Sequence, residues 1–461
     1  MQDLTHGSIS KHIIRLAAPM AAGMIFQTLY VLIDLYFVSR LGDAAIAGVG
    51  AAANVQFIVL ALTQILTVGT MVLISHAVGR KDQADANVVF NQGVLLSASC
   101  AAITLIGGYA FTSAYMSVVG ADAETAAAGT TYLRYYLPGL ALQFALVTMG
   151  AALRGTGITK PTMVVQVLTV VLNALLAPLL IAGWGTGKPL GVAGAGLAST
   201  ISIAAGVVML LFYFVRNEKY VAFDAAHFHA RFDQWKRILK IGLPAGGEFA
   251  LMSIFIGMNY VIISKFGAHA QAGYSIGSRV MQAIFLPAMA IAFAAAPVAG
   301  QNVGAGKPER ARETFVKAGM IGSALMLSLT ILCQFRAEWF LLPFTTKDAT
   351  VMAPEVMQVG GEFLRIISLN FVASGIIFTC SGMFQALGNT LPSLLSSASR
   401  LATYMAPALW LSSRPGFELR HLWYLSVTTV FVQMLTSWWL LRREFARKQK
   451  AARSGTAAVP A

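Results

Sequence analysis

Hydrophobic positions run along this chain in long, unbroken blocks. They cover residues 13–39, 47–76, 88–118, 127–152, 161–183, 191–215, 241–264, 273–300, 315–344, 354–385, 392–412 and 421–441. Each block reaches roughly the 20 residues an α-helix needs to cross a bilayer. None alternates polar with apolar as a barrel strand would. In hydrocarbon every backbone N–H and C=O must be paired within the structure, so the pattern predicts twelve transmembrane helices and an all-α integral membrane fold.

The pattern is also written twice. Pro19 to Gly79 returns 225 positions later as Pro244 to Gly304, with Leu41-Gly42 matching Phe266-Gly267 and Ala47-Gly48 matching Ala272-Gly273. A second register of 231 positions joins Arg134 to Arg365, Arg154 to Gln385 and Pro161 to Pro392. Two copies of six helices predict two pseudo-symmetric six-helix bundles, the mark of a transporter. The expected organisation is an N-terminal bundle over 1–215, a cytoplasmic linker over 216–240, a C-terminal bundle over 241–441 and a basic, disordered cytoplasmic tail over 442–461. Within the linker, Phe228, Phe232, Trp235 and Leu239 recur at helical spacing among basic residues, which predicts an interfacial helix. The first block has a counterpart at 241–264, so it reads as a span and not as a removable leader.

Composition agrees, since 57% of the residues are hydrophobic and only 11% charged, far from the balance of a soluble domain. The net charge of +14 invites a nucleic-acid partner, but Lys and Arg gather in the loops of one face. That asymmetry excludes nucleic acid and places both termini in the cytoplasm of a multi-pass inner-membrane protein. Each bundle has an even number of spans, so the repeat is parallel. Cys100, Cys333 and Cys380 lie singly in three spans and read as small apolar fillers.

Acidic residues inside a span are costly, about 2.5–3.5 kcal/mol at mid-helix, and two stand out. Asp34 lies in Tyr30-Val31-Leu32-Ile33-Asp34-Leu35-Tyr36, about 12 Å from the turn at Gly42. Its counterpart in the second copy is Asn259, the same size without the charge. Packing alone does not require ionisation, so Asp34 is the leading functional candidate. Glu248, four residues after Pro244, is a secondary candidate, as are Asn259, Arg279 and Gln282. Arg400 also falls in an apolar block. Glu362 and Arg365, one turn apart, read as a helix-surface pair.

These residues, taken with Gln27-Thr28-Leu29-Tyr30, Leu153-Arg154-Gly155-Thr156-Gly157, Lys160-Pro161, Gly191-Val192-Ala193-Gly194-Ala195, the stretch Val298–Lys307 and Phe384-Gln385-Ala386-Leu387-Gly388, resemble the multidrug and toxic compound extrusion (MATE) transporters, in particular the prokaryotic DinF-like branch. The resemblance covers roughly 8–445. It implies two six-helix bundles in a V, and export of cationic or amphipathic small molecules in exchange for H+ or Na+. It also implies an ion-coupling cluster, mapped by position onto Asp34, Tyr132, Asn173 and Ser199. Where the branch commonly has a second aspartate this chain has Ala177, and the second-bundle acids of another branch correspond to Met252 and Ser374. A lone acid favours protons over sodium, while Asp34 and Asn173 could still ligate Na+. Bending of the first helix near Pro19, with Pro244 as its repeat, is the expected conformational step. No other cofactor or resident metal is expected, and the chain is expected to act as a monomer in contact with membrane lipid.

Two alternatives compete. A lipid-linked oligosaccharide flippase would need cationic residues inside the first six spans, which offer only Arg134 near a helix end. An intramembrane enzyme would need a motif such as His-Glu-x-x-His, which does not occur; Gly273-Tyr274-Ser275-Ile276-Gly277 has the Gly-x-Ser-x-Gly spacing, but inside a long apolar block and not on the strand-to-helix turn that chemistry needs. The chain is therefore not expected to be an enzyme.

Overall fold

In the computed structural model, residues 1–453 are described except Ala121, Thr186 and 342–353. Every regular element among them is helical: α1 (Ile9–Val38), α2 (Asp43–Gly79), α3 (Gln83–Val119), α4 (Ala123–Gly155), α5 (Lys160–Ile181), α6 (Val192–Arg216), α7 (Phe232–Ile263), α8 (Ala268–Gly304), α9 (Pro308–Leu341), α10 (Pro354–Ser368), α11 (Phe371–Ala386), α12 (Leu391–Leu411) and α13 (Leu419–Arg453). Ten of these are long and apolar enough to cross a membrane. The expected tenth span, 354–385, is broken into α10 and α11, bent by 59°, and counting that pair as one span gives eleven. The remaining expected span is α12, of adequate length but more polar, with Ser393, Ser396, Ser397, Ser399 and Arg400 in its first half.

The chain forms two compact units. The first comprises Met1–Leu4 and Ala18–Gly246, the second Thr5–Ala17 and Gly247–Ala461. In the first, α4 is the central packing element, lying against α2, α3 and α6, with α5 on α6. In the second, α8 packs on α9, α10 and α11, and α13 on α11 and α12. Tyr274, Phe363 and Trp423 form the aromatic centre of the second unit, Tyr274 stacking on Trp423 at 5.6 Å between ring centroids.

The duplication is visible in the backbone. α1 ends in a 3₁₀ turn at Ser39–Leu41 and α7 in one at Ser264–Phe266. Each turn leads into a glycine of positive φ, Gly42 at 104° and Gly267 at 89°, a conformation that a side chain would strain. The helix crossings repeat as well. A Cβ on Gly48 of α2 would meet the Gly129 backbone of α4 at 2.7 Å, and one on Gly273 of α8 would meet the Val356 carbonyl of α10 at 2.8 Å. Small residues at these places let the helices approach backbone to backbone, the usual solution where lipid supplies no hydrophobic drive between helices.

The linker differs from its expectation. Residues 217–231 contain only a short 3₁₀ turn at Ala225–His227, and the amphipathic stretch from Phe232 is the first part of α7, continuous through Pro244 to Ile263. Side-chain amides of α3 hold this segment. Asn91 Nδ2 donates to the Ala222 carbonyl, and Gln92 Nε2 to the His227 and His229 carbonyls, at 2.7–2.9 Å. Arg80 and Arg237 both pair with Asp85, at 2.7 and 3.1 Å. At the C-terminus, residues 442–453, expected to be disordered, continue α13, because Arg, Lys, Glu and Ala are strong helix formers. Residues 454–461 lie outside the described ones. Arg365 pairs with Glu338 of α9 rather than with Glu362. Outside the spans, Asp122 caps α4 by accepting from the Thr125 backbone N–H at 2.7 Å, which holds its carboxyl below the usual carboxylate range.

Candidate functional site

Asp34 and Tyr30 stand four residues apart on α1, and Tyr132 and Tyr136 four apart on α4, so each pair shares one helix face. The two pairs meet in the first unit. Asp34 lies within electrostatic range of Tyr30, Tyr132 and Tyr136. The Tyr132 and Tyr136 rings are 5.3 Å apart, and both residues are buried. Gly196 brings α6 onto this place, since a Cβ there would meet the Tyr132 carbonyl at 2.6 Å. Three residues further along α6, Ser199 is 1% exposed and its hydroxyl lies beside that of Tyr30, the two stopping short of hydrogen-bond geometry. Asn173 is fully buried on α5, the helix that packs on α6, and Ala177 is buried one turn after it.

The buried polar atoms of these residues are unsatisfied. Tyr30 Oη, Asp34 Oδ1, Ser199 Oγ and both amide atoms of Asn173 are buried with no hydrogen-bond partner. An unmet buried donor or acceptor costs about 1–3 kcal/mol, and several in one helical unit are unusual in native proteins. Asp34, Asn173 and Ser199 offer a carboxylate, an amide carbonyl and a hydroxyl, the oxygen donors that suit a proton or a hard cation. Among the described residues no group of three or more His, Cys, Asp or Glu could hold a metal ion.

The other sequence candidates lie elsewhere. Glu248 of α7 is held in the second unit by serine hydroxyls. Ser393 Oγ donates to it at 2.8 Å, and Ser381 and Ser397 each at 3.3 Å. Asn259 accepts a hydrogen bond from Tyr404 Oη at 2.5 Å and donates to the Phe255 carbonyl at 2.8 Å. Arg279 and Gln282 are exposed on α8, and neither bonds to the Glu248 or the Asn259 group. Pro19 and Pro244 sit inside α1 and α7, each within three residues of the place where its helix passes from one unit to the other. Tyr30 and Tyr136 were absent from the sequence-derived set. Their signal was helical spacing, one turn from Asp34 and one turn from Tyr132.

Comparison with known proteins places this geometry. The family model MatE matches residues 19–179 and again 244–410, two matches that begin at the two prolines of the repeat. The FAD transporter of Shewanella oneidensis is 25% identical over 423 residues, covering 89% of each chain. The probable multidrug resistance protein YpnP of Bacillus subtilis is 26% identical over 392 residues, covering 84% of this chain and 86% of its own. Among solved structures, a MATE transporter in a bent conformation matches with a TM-score of 0.90 at 25% identity over 98% of both chains. A MATE structure in a straight conformation matches at 0.88 and 25% over 97% of this chain and 98% of its own. These are transporters and resistance proteins, not enzymes, and the many apolar helices of this chain make it a multi-pass membrane protein. With both halves matched by one family model, the chain belongs to the MatE family of multidrug and toxic compound extrusion transporters.

Proposed function

We propose that this transporter is a secondary antiporter that exports cationic or amphipathic small molecules in exchange for H+ or Na+, with Asp34 as the coupling group. One observation carries the reading: Asp34 Oδ1 is buried without a partner in the same unit as the equally unpartnered Tyr30 Oη, Ser199 Oγ and Asn173 amide. A carboxylate so placed is costly when charged and unbound, and gains from taking up a cation. Protonation suits a lone acid, with Ala177 in place of a second carboxylate. Asn173 and Ser199 supply the extra oxygens that sodium would need.

The coupling works through populations. A bound ion shifts the transporter only as far as ion and cargo prefer different states. Asp34 is fifteen residues beyond Pro19 on α1, so a change in its partners acts on the helix that carries the proline. Pro19 has no N–H to give the Arg15 carbonyl, which leaves α1 easy to bend there. The two bundles, 1–215 and 241–441, act as the moving halves of an inner-membrane monomer, with both termini in the cytoplasm. Glu248, with three serine donors, is already satisfied and takes no coupling role in this reading. A second cargo reading, an anionic dinucleotide, is favoured by the name of the FAD transporter relative.

Proteoliposome uptake of a lipophilic cationic dye, driven separately by a proton and by a sodium gradient, tests the proposal. Wild type should respond to one gradient and Asp34→Asn to neither. Normal gradient-driven uptake by Asp34→Asn would remove the coupling assignment, and uptake of FAD in place of the dye would redirect the cargo.

A further inference from the structure

The second unit carries a charge of opposite sign close to the place that matches Asp34. Asn259 follows Asp34 by 225 positions, and Tyr404 follows Asn173 by 231. The hydrogen bond from Tyr404 Oη to Asn259 Oδ1 at 2.5 Å therefore joins the counterparts of Asp34 and Asn173, two of the first unit's oxygen donors. One turn before Tyr404 on α12 stands Arg400. Its guanidinium carbon lies 4.3 Å from the centre of the Phe255 ring, which itself packs on Tyr404 at 4.6 Å. Tyr274 is also within its electrostatic range.

This guanidinium has no counter-ion. Among the described residues no carboxylate pairs with Arg400, and its Nε is buried without an acceptor. The acid on the facing helix, Glu248, is engaged by Ser381, Ser393 and Ser397 instead. An arginine cannot shed its proton to escape burial, and a buried charge without a partner is strongly unfavourable. The residue as a whole keeps partial exposure, so a ligand can reach the edge that the Phe255 ring leaves open.

We infer that Arg400, with Phe255, Tyr404 and Tyr274 around it, is a binding site for an anionic oxygen group, a carboxylate or phosphate, borne on an aromatic or apolar body. The guanidinium takes two such oxygens through parallel N–H bonds, a geometry suited to both groups, and the rings receive the apolar part. This goes beyond the ion-exchange reading, because it concerns the second unit and needs no exchange of ions. The anion can come from a transported solute or from a lipid headgroup. Arg400 is nine residues from the start of α12 and eleven from its end, roughly 13–17 Å along the axis from either terminus, a depth that favours the solute.

The test uses the purified full chain in phosphatidylcholine nanodiscs and two dyes of one ring type and opposite charge, carboxyfluorescein and rhodamine 6G, read by fluorescence anisotropy. Arg400→Gln should weaken carboxyfluorescein about tenfold or more, the loss of a charge-assisted hydrogen bond, and affect rhodamine 6G less. Phe255→Leu, which keeps the charge, should weaken it by a smaller factor. In nanodiscs with added phosphatidylglycerol, loss of carboxyfluorescein binding together with preferential retention of that lipid by wild type over Arg400→Gln assigns the site to a headgroup. If folded Arg400→Gln binds carboxyfluorescein as wild type does and retains phosphatidylglycerol equally, the site is refuted. Should Arg400→Gln fail to fold, Arg400→Lys decides: several-fold weaker binding through loss of the planar fork supports the site, and unchanged binding refutes it.

Discussion

Asp34 and Glu248 are both carboxylates inside spans, yet their surroundings separate them. Glu248 accepts from three serines, whereas Asp34 Oδ1 accepts from none. The same contrast governs Tyr30, whose buried hydroxyl has no partner. Removing an unsatisfied hydroxyl takes away a desolvation cost and no bond. Tyr30→Phe should therefore leave the melting temperature in detergent unchanged or slightly raised while slowing gradient-driven dye uptake; a clear loss of stability would mean that the hydroxyl has a structural partner. Asp34 was legible in the sequence because an acid among apolar residues is conspicuous and its repeat partner is Asn259. Tyr30 and Tyr136 were not, because a tyrosine within a span is ordinary and only its distance from Asp34 in space makes it relevant. The three serines of Glu248 come from α11 and α12, far off in the chain, so nothing local announced them.

At the level of elements, helix existence was legible and helix ends were less so. Runs of apolar residues identify spans, but the bend between α10 and α11 falls at Leu369 and Asn370, where no proline or glycine marks it. The joining of the amphipathic stretch to α7 depends on contacts with α3 that no local pattern reveals. The crossing glycines make a quantitative test. Gly48→Val and Gly273→Val should each cost about 1–3 kcal/mol through overpacking, whereas Gly50, with open space around its would-be Cβ, should tolerate Val with a smaller loss. Thermal unfolding followed by tryptophan fluorescence separates the three, and equal losses would contradict the crossing. Pro19 makes the opposite prediction. Pro19→Ala restores a backbone bond inside α1, so that helix should gain stability while dye uptake slows several-fold, and an unchanged uptake rate would remove Pro19 from the mechanism.

Over the whole molecule, the repeat preserved shape and let chemistry diverge. Turns and glycine crossings recur at fixed offsets, but the carboxyl group of Asp34 in one unit is answered by an amide and a nearby guanidinium in the other. The halves are thus not interchangeable. In an Asp34→Asn background, Asn259→Asp should fail to restore gradient-driven uptake, because the new carboxylate meets Tyr404 and the Arg400 neighbourhood instead of Tyr132 and Ser199. Recovery of coupling would show that either half can serve.

The grip of α3 on the connecting segment has a practical side. Phe228 is 44% exposed, and the backbone on either side of it is fastened by Gln92. A spectroscopic label at position 228 would consequently report displacements of the first unit alone, even though it sits near the midpoint of the chain, and a matching label on α9 would be needed to follow the other.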